Sequence, residues 1–290
     1  MADIETIEID LSHKEKISQL YRQYGHRDSA HSFESLFLWK EDMELSIYFG
    51  PGLYAVRSGN SSKHTWFFPV GEDEAKKQFI SSLLKEPSLT FIYMTEIDTE
   101  FLKTHFEDMF EISPEPSDSE YIIDRDTMEN LPGSSFSKDR GHINKLIKTH
   151  EIKTLSLSGL PVNEIYRIAA IWDSHKQEYT NIIDENATKN ALSNMASLNI
   201  TGVVLIMDGT PCAVAAGFKL NEDTVDCCLQ KTTTGVQGLT YYLRQEYAKS
   251  QPKGVNFFNW EEDLGIEGLR KAKKLMHPCE MIDMYTGIKK

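Results

Sequence analysis

The 290-residue sequence has no apolar run long enough to cross a membrane. Its longest apolar stretches, residues 203–207 and 213–218, are far shorter than the roughly 20 residues that a spanning helix needs. The first 12 residues are acidic and lack the basic start and apolar core of a secretory signal. We therefore expect a cytoplasmic protein without a transmembrane segment.

Cysteine is scarce, with four residues and no C-x-x-C pair. Cys227 and Cys228 are adjacent in an apolar run typical of a strand, where neighbouring side chains point to opposite faces. This geometry is poor for a shared metal or an ordinary disulfide. We interpret these two cysteines, together with Cys212 and Cys279, as reduced packing residues.

The motifs of nucleophilic and metal-dependent enzymes are also missing. The nine histidines include no H-E-x-x-H pair, and the chain has no G-x-S-x-G turn and no Walker lysine. We interpret His142, close to Arg140, as a surface or hydrogen-bonded residue rather than a catalytic base. Mechanisms with an enzyme nucleophile or a bound metal are disfavoured, and we expect no tightly bound cofactor.

Acidic residues exceed basic ones, and the excess lies in one half of the chain. There are 44 Asp and Glu residues against 31 Lys and Arg, a net charge of −13. Residues 1–137 hold 26 acidic and 12 basic residues, whereas residues 138–290 hold 18 and 19, with basic clusters at 138–148 and 270–274. A polyanionic ligand should therefore bind the C-terminal half, although charge runs are also common on solvated helix faces.

The order of the predicted elements is partly repeated. Each half shows helices, a meander of short strands, a helix, a strand, a helix and a last strand. In the second half the pattern predicts helices at 137–149 and 161–178 and a hairpin at 200–219 that turns at Asp208-Gly209. A terminal strand is predicted near 280–285. The order favours two copies of a mixed α/β unit, with domains at 1–125 and 126–290.

A glycine loop follows a predicted strand at 224–230 and opens a helix. Unpaired N–H groups at a helix start, with glycines that let a ligand approach the backbone, can bind a phosphate. The spacing is looser than that of a P-loop, so a plain helix-capping turn is an equal alternative. The candidate donor-binding residues are Lys231, Thr234, Gly235, Gln237 and Gly238.

The densest polar run, residues 259–265, follows a strand and precedes a helix that ends in basic residues. Carboxylates at a strand end could hold or deprotonate an amine nucleophile. The alternative is an acidic helix start and a basic helix end that complement the helix dipole without any ligand. The candidates in this region are Asn259, Glu262, Asp263, Arg270 and Lys273.

Three segments resemble a known family: residues 121–133, residues 138–145 and, above all, the run E-D-L-G-I-E-G-L-R-K-A-K at 262–273. They are similar to the catalytic domain of bacterial phosphatidylglycerol lysyltransferases and its soluble relatives. The resemblance implies two tandem GNAT-like (acyl-CoA N-acyltransferase-like) units, as in aminoacyl transferases that use charged tRNA. The chain departs from the family pattern at Asp139, Gly141 and Trp260, which reduces positive charge where tRNA or an anionic phospholipid headgroup is expected.

The resemblance implies transfer of an acyl or aminoacyl group to an amine or hydroxyl of a small-molecule acceptor, by direct attack on the donor carbonyl. The donor is expected to be acyl-CoA or aminoacyl-tRNA, with its phosphates at the glycine loop. Glu262 or Asp263 would orient and deprotonate the acceptor, and Arg140, Arg270 and Lys273 would hold anionic groups. The alternative is a non-catalytic GNAT-like module that binds a phosphorylated metabolite.

Overall fold

The computed structural model describes residues 4–59, 64–167 and 185–290, which form two compact units. Unit 1 comprises residues 1–120, 262–270 and 281–290, and unit 2 comprises residues 121–261 and 271–280. This division differs from the predicted boundary after residue 125, because two late segments return to the first unit. Most of the helix predicted at 161–178 lies outside the described residues.

Unit 1 is built on an eight-stranded sheet. Its helices are α1 (Lys14–Tyr24), α2 (Phe33–Trp39), α3 (Asp73–Leu83) and α4 (Glu96–Phe106). Its strands are β1 (Ile7–Glu8), β2 (Leu45–Gly50), β3 (Leu53–Ser58), β4 (His64–Phe67), β5 (Val70–Gly71), β6 (Leu89–Met94), β7 (Phe110–Pro114) and β15 (Tyr285–Lys289). The strand order is β1-β2-β3-β4-β6-β15-β7, with β5 paired to β3.

Aromatic side chains fill the core of unit 1. The rings of Phe68 and Phe91 meet edge to face at 5.5 Å, and Phe68 meets Phe101 at 5.9 Å in the same way. Such ring pairs stabilise beyond the burial of their area. Helix α4 begins at a capping box in which Thr95 donates to the Asp98 carboxylate, so the local sequence fixes where that helix starts.

Unit 2 is built on a seven-stranded sheet. Its helices are α5 (Arg125–Asn130), α6 (Ser137–Thr149), α7 (Glu185–Ser193) and α8 (Leu239–Ser250), and α9 (Glu267–Lys274) runs from a segment of unit 1 into a segment of unit 2. Its strands are β8 (Glu120–Asp124), β9 (Ile152–Ser156), β10 (Thr201–Met207), β11 (Thr210–Lys219), β12 (Thr224–Thr232), β13 (Phe257–Asn259) and β14 (Glu280–Ile282). The strand order is β14-β8-β13-β12-β11-β10-β9.

The two sheets share one plan, which confirms the predicted mixed α/β class. In each sheet an antiparallel meander is followed by a helix and a parallel strand, β4 with β6 in unit 1 and β12 with β13 in unit 2. The next strand toward the edge of each sheet comes from another part of the chain. In unit 1, β15 lies between β6 and β7, and in unit 2, β8 lies between β13 and β14. The single terminal strand predicted near 280–285 is wrong, because the chain forms two strands there in different sheets.

The hairpin of β10 and β11 confirms the strongest local prediction. Asp208 and Gly209 both have positive φ angles, 51° and 84°, as a two-residue turn of the type favoured by Asp-Gly requires. Cys212 and Cys227 are buried and Cys228 is half-buried, as expected of packing residues. Cys279 is exposed instead, because it leads into the edge strand β14.

Strands β12 and β13 part after a short parallel ladder. The ladder pairs Thr224 with Phe257 and ends at Asp226 and Asn259. Beyond Asp226, β12 remains paired on its other side with β11, up to Thr232. No described strand pairs with the edge of β12 that β13 leaves, so main-chain groups of β12 on that side have no strand partner among the described residues.

Candidate functional site

The predicted glycine loop lies between β12 and α8 and packs against α6. Gly235 and Gly238 have φ angles of 80° and 84°, and Gly238 is the N-cap of α8. A β-carbon added to Gly238 would lie 2.8 Å from the backbone of His142 on α6. Glycine is therefore required at 238 both by the backbone conformation and by the close approach to α6.

The loop and α6 together form a cleft of about 280 Å³. Gly235 and Gln237 line one wall, and His142, Lys145 and His150 of α6 and its end line the other. The structure thus combines the glycine loop with the basic cluster that the sequence placed at 138–148. Main-chain N–H groups, the Lys145 ammonium and the His142 imidazole make this cleft suited to an oxyanion, whereas Nδ1 of His150 contacts the Asp208 carboxylate at 2.6 Å.

The remaining loop candidates are placed differently from one another. Thr234 is exposed on the loop, beside the cleft. Lys231 belongs to β12, opposite Val214 of β11, and its side chain is 2% exposed. The ammonium of Lys231 is thus enclosed within unit 2 rather than displayed on the loop.

Arg140 stabilises the turn before α6 through side-chain hydrogen bonds. Its Nη1 donates to the carbonyl oxygens of Leu131 and Gly133, the latter at 2.7 Å. Leu131 and Gly133 both have positive φ angles, so the guanidinium fastens an irregular turn. This contact occupies part of the donor set that was predicted to hold an anionic substrate.

The acidic run is divided between the two units. In unit 1, the completely buried Asp263 accepts two hydrogen bonds from Arg270, from Nε at 2.9 Å and Nη2 at 3.0 Å. It also accepts from the N–H of Gly265 at 2.9 Å. The pair Asp263–Arg270 therefore fixes the turn that precedes α9.

Glu262 of unit 1 is half-buried, and its charge contributes to the raised pKa of Asp118. Burial raises the pKa of Asp118 to about 7, and the negative charges of Glu262 and Glu115 add to the effect. A carboxyl whose pKa lies near 7 can both give up and take up a proton at neutral pH, as acid–base chemistry requires.

Asn259 and Lys273 of unit 2 lie near Trp260. Asn259 is completely buried, and its Oδ1 accepts the N–H of Glu261 at 2.8 Å. The ammonium of Lys273 donates to the carbonyl of Trp260 at 2.5 Å and lies 5.9 Å from the centre of the Tyr121 ring. Both contacts hold the chain where it leaves β13.

The sequence predictions missed Arg244 of α8. Its side chain is 8% exposed, and its Nε donates to Oε1 of Gln230 at 2.7 Å. The guanidinium carbon lies 5.1 Å from the ring centre of Trp260 and 5.5 Å from that of Tyr241. Burial lowers the pKa of Arg244 to about 10, so the group stays charged at neutral pH.

Arg244 bridges the strands that part. Gln230 lies on β12 beyond its last pair with β13, and Trp260 directly follows β13. The signal for this residue was present in the helical spacing, because 244 and 248 share a face and the helix buries Leu243, Tyr247 and Ala248. A cation at a buried position of an amphipathic helix marks either a structural pair or a ligand site.

Comparison with known proteins decides the family. Residues 21–287 match the family described as phosphatidylglycerol lysyltransferase, C-terminal. The chain belongs to this family. The family membership predicted from residues 121–133, 138–145 and 262–273 is therefore confirmed. No functionally curated protein matches the chain significantly.

Three solved structures have a similar fold. A conserved protein of unknown function from Bacteroides thetaiotaomicron VPI-5482 superimposes with a TM-score of 0.90 at 23% identity, over 99% of this chain and 100% of that one. L-PGS from Bacillus licheniformis gives 0.65 at 15% identity, over 99% and 94% of the chains. The C-terminal domain of a protein assigned as a lysylphosphatidylglycerol synthetase from Agrobacterium fabrum gives 0.65 at 14%, over 96% and 93%.

These likenesses show the fold, a mixed α/β chain of two units. The fold relation covers both units, because each alignment with these three proteins spans nearly the whole chain. Within residues 4–59, 64–167 and 185–290, no helix has both the length and the apolar character that a membrane span requires.

Proposed function

We propose that this chain is an acyl or aminoacyl transferase that uses a CoA thioester or an aminoacyl-tRNA ester as donor and an amine or hydroxyl as acceptor. The observation that carries the proposal is the parting of β12 from β13 after Asp226 and Asn259. Membership of the phosphatidylglycerol lysyltransferase C-terminal family supports the class of reaction. A phosphatidylglycerol-type hydroxyl is accordingly one of the acceptors to be tested.

The uncovered edge of β12 supplies main-chain donors. Thr233 donates its N–H to the carbonyl of Cys212, toward β11, at 2.8 Å. Successive N–H groups of an extended strand point to opposite edges, so those of Gln230 and Thr232 point to the edge that β13 leaves. Donors placed there would stabilise the oxygen that becomes negative when an acceptor attacks a carbonyl carbon.

In the proposed reaction the neutral acceptor attacks the donor carbonyl and forms a tetrahedral intermediate. Its collapse breaks the C–S bond of a thioester or the C–O bond of an aminoacyl ester, and the leaving sulfur or oxygen takes up the proton that the acceptor loses. Glu262 and Asp263 are the predicted residues for deprotonation. Of these two, Asp263 already accepts hydrogen bonds from Arg270 and Gly265 within unit 1, which gives it a structural role there.

The donor's phosphates are assigned to the cleft between the glycine loop and α6. Both CoA and tRNA carry phosphates, and the cleft offers Lys145 and the loop of Gly235 and Gln237. The phosphate contacts would position the donor, and the acyl group would extend toward β12. Such placement converts a reaction between two solutes into one between held groups.

Transfer of a labelled acyl group tests the proposal. The protein is incubated with labelled acetyl-CoA and, separately, with lysyl- or alanyl-tRNA, each with an amine mixture or phosphatidylglycerol vesicles. Label in an acceptor supports the transferase, and a donor bound saturably without any transfer contradicts it. Among donors, affinity that falls steeply with salt would indicate tRNA, because each phosphate contact releases counterions.

Two variants of α6 make a matched pair for the donor site. Lys145 lines the cleft, whereas Lys148 is an exposed lysine of the same helix that does not line it. Lys145→Ala should weaken donor binding by about tenfold, as expected for a charged hydrogen bond to phosphate. Lys148→Ala should leave it unchanged, and equal losses in the two variants would remove the cleft from the proposal.

The second candidate function is a non-catalytic module that binds a phosphorylated metabolite. It is favoured by the contacts of Arg140 and Arg270, since both predicted substrate-binding cations bond to groups of the protein. The phosphate cleft alone suffices for such a module. Saturable binding of a phosphorylated compound without turnover of any donor would support it.

A further inference from the structure

Arg244 is a buried cation, and the completely buried Asp226 of β12 is not among the groups that act on it. Its recorded hydrogen bond uses Nε, and the electrostatic neighbours that act on it are Tyr241 and Cys227, which are neutral at pH 7. No described Asp or Glu forms an ion pair with it. Nη1 and Nη2 bond to no described group, and neither is a completely enclosed polar atom.

Other arginines of the chain show how a guanidinium is satisfied when its role is structural. Arg125 donates Nη1 and Nη2 to four main-chain carbonyls and Nε to Glu129. Arg270 makes two bonds to Asp263, and Arg140 binds two carbonyls. In each of these, terminal nitrogens meet oxygen atoms of the protein, whereas those of Arg244 meet none in the described parts of the chain.

Among the described residues, the contacts of Arg244 involve its Nε atom and the faces of two rings. Gln230 takes the Nε side, and the rings of Trp260 and Tyr241 lie against the guanidinium. The pair of terminal nitrogens therefore remains for bonding. Two parallel N–H donors in one plane match the two oxygens of a carboxylate or a phosphate.

We infer that Arg244 receives an anionic group, a carboxylate or phosphate, of the acceptor that enters where β12 and β13 part. This inference rests on the proposed transferase function, because the reacting carbonyl is assigned to the same opening. The aromatic rings and the burial strengthen the attraction by excluding water. The acceptor is then an anionic amine or alcohol rather than a neutral one.

Binding of matched small probes tests the inference without any need for turnover. Calorimetry compares glutamate with glutamine, phosphoserine with serine, and glycerol 3-phosphate with glycerol on the full chain. We expect an anionic member to bind and its neutral partner to bind at least about tenfold more weakly. The pair that shows the difference identifies the group as a carboxylate or a phosphate.

Gln230→Glu is the decisive variant. It is close in shape to the wild type, and it gives Arg244 an internal carboxylate at the position of the existing 2.7 Å bond. The fold should be retained, and probe affinity should fall at least about tenfold because the cation is already neutralised. A structural role for Arg244 predicts no loss of probe binding in this variant.

Three further proteins complete the test. Arg244→Gln should lose the preference for the anionic probe, and Arg244→Lys should keep part of it, because charge remains without the two-pronged geometry. Lys249→Gln, an exposed cation of the same helix that pairs with Glu246, should behave as wild type. The inference is overturned if wild type binds no anionic probe below about 10 mM, well above the usual range of substrate affinities, or if Gln230→Glu binds as wild type does.

The outcomes separate this inference from the transferase proposal. Charge-selective probe binding that Gln230→Glu abolishes supports the anion site even where no donor is turned over. Label transfer to acceptors with equal preference for charged and neutral members supports the transferase and overturns the role of Arg244.

Discussion

Removing the pair Asp263–Arg270 tests whether the role of Asp263 is structural or catalytic. Asp263→Asn removes the negative charge but keeps an oxygen that can accept from Gly265. Two charge-assisted hydrogen bonds to Arg270 are weakened, each worth about 1.5–3 kcal/mol. Arg270 is 38% exposed, so water can hydrate its guanidinium when the carboxylate is lost. This hydration recovers part of the lost hydrogen-bond free energy. We expect the free energy of unfolding to fall by about 2–3 kcal/mol.

A double-mutant cycle isolates the pair. Asp263→Asn, Arg270→Met and the double variant are unfolded in urea at several concentrations of salt. The coupling energy should be about 1–2 kcal/mol and should change little with salt, because Asp263 is completely buried. A coupling below about 0.5 kcal/mol, or a loss of donor turnover in Asp263→Asn at unchanged stability, would refute the structural role argued for Asp263.

Three further perturbations follow from the same geometry. The raised pKa of Asp118, about 7 against an ordinary 3.8, means that the folded protein binds more protons than the unfolded chain between about pH 4 and 7, so stability falls as pH rises through that window. Asp118→Asn should remove this slope and add about 2 kcal/mol at pH 8, allowing for partial exposure, and a parallel slope in both proteins by urea unfolding would contradict the assignment. Gly238→Ala should destabilise by more than about 2 kcal/mol, because a positive φ and a 2.8 Å approach to α6 add together, whereas Gly235→Ala, with positive φ but no neighbour within 4 Å, should cost about 1 kcal/mol in thermal unfolding. Equal costs would show that the loop does not pack on α6. Arg140→Ala should lower stability by about 1–2 kcal/mol through the lost carbonyl contacts and leave phosphate affinity unchanged by calorimetry, and a selective loss of phosphate affinity would restore its predicted binding role.

Local signals in the sequence predicted much of the fold. Helix α6 lies at the predicted residues 137–149, and the hairpin turns at Asp208 and Gly209, because periodicity and turn chemistry act between near neighbours. Such local signals could not predict that β14 and β15 belong to different sheets. Nothing between β14 and β15 marks a break of the kind that glycine or proline gives, and the choice of sheet for each strand depends on partners far away in the chain.

The candidate site was predicted in parts rather than as a whole. The glycine loop and the basic helix were both noticed, but their contact depends on the approach of Gly238 to His142, which is a tertiary fact. Charge alone also could not show which cations bind a ligand and which bind the protein itself. A cation in the sequence looks the same whether it will bind a carbonyl, as Arg140 does, or remain available to a ligand.

Arg244 and Arg270 show what distinguishes the two cases. Arg270 follows an acidic run by a helical turn or two, and Asp263 is close enough along the chain to be its partner. Arg244 sits on the buried face of α8, and the positions three and four residues away on either side, Thr240, Tyr241, Tyr247 and Ala248, offer no carboxylate. An arginine on the apolar face of a helix, without an acid at helical spacing, needs its counter-charge from elsewhere. Because burial of an uncompensated charge is costly, the sequence alone indicates that this position merits a search for a ligand, and the parted strands beside it give that ligand a place to enter.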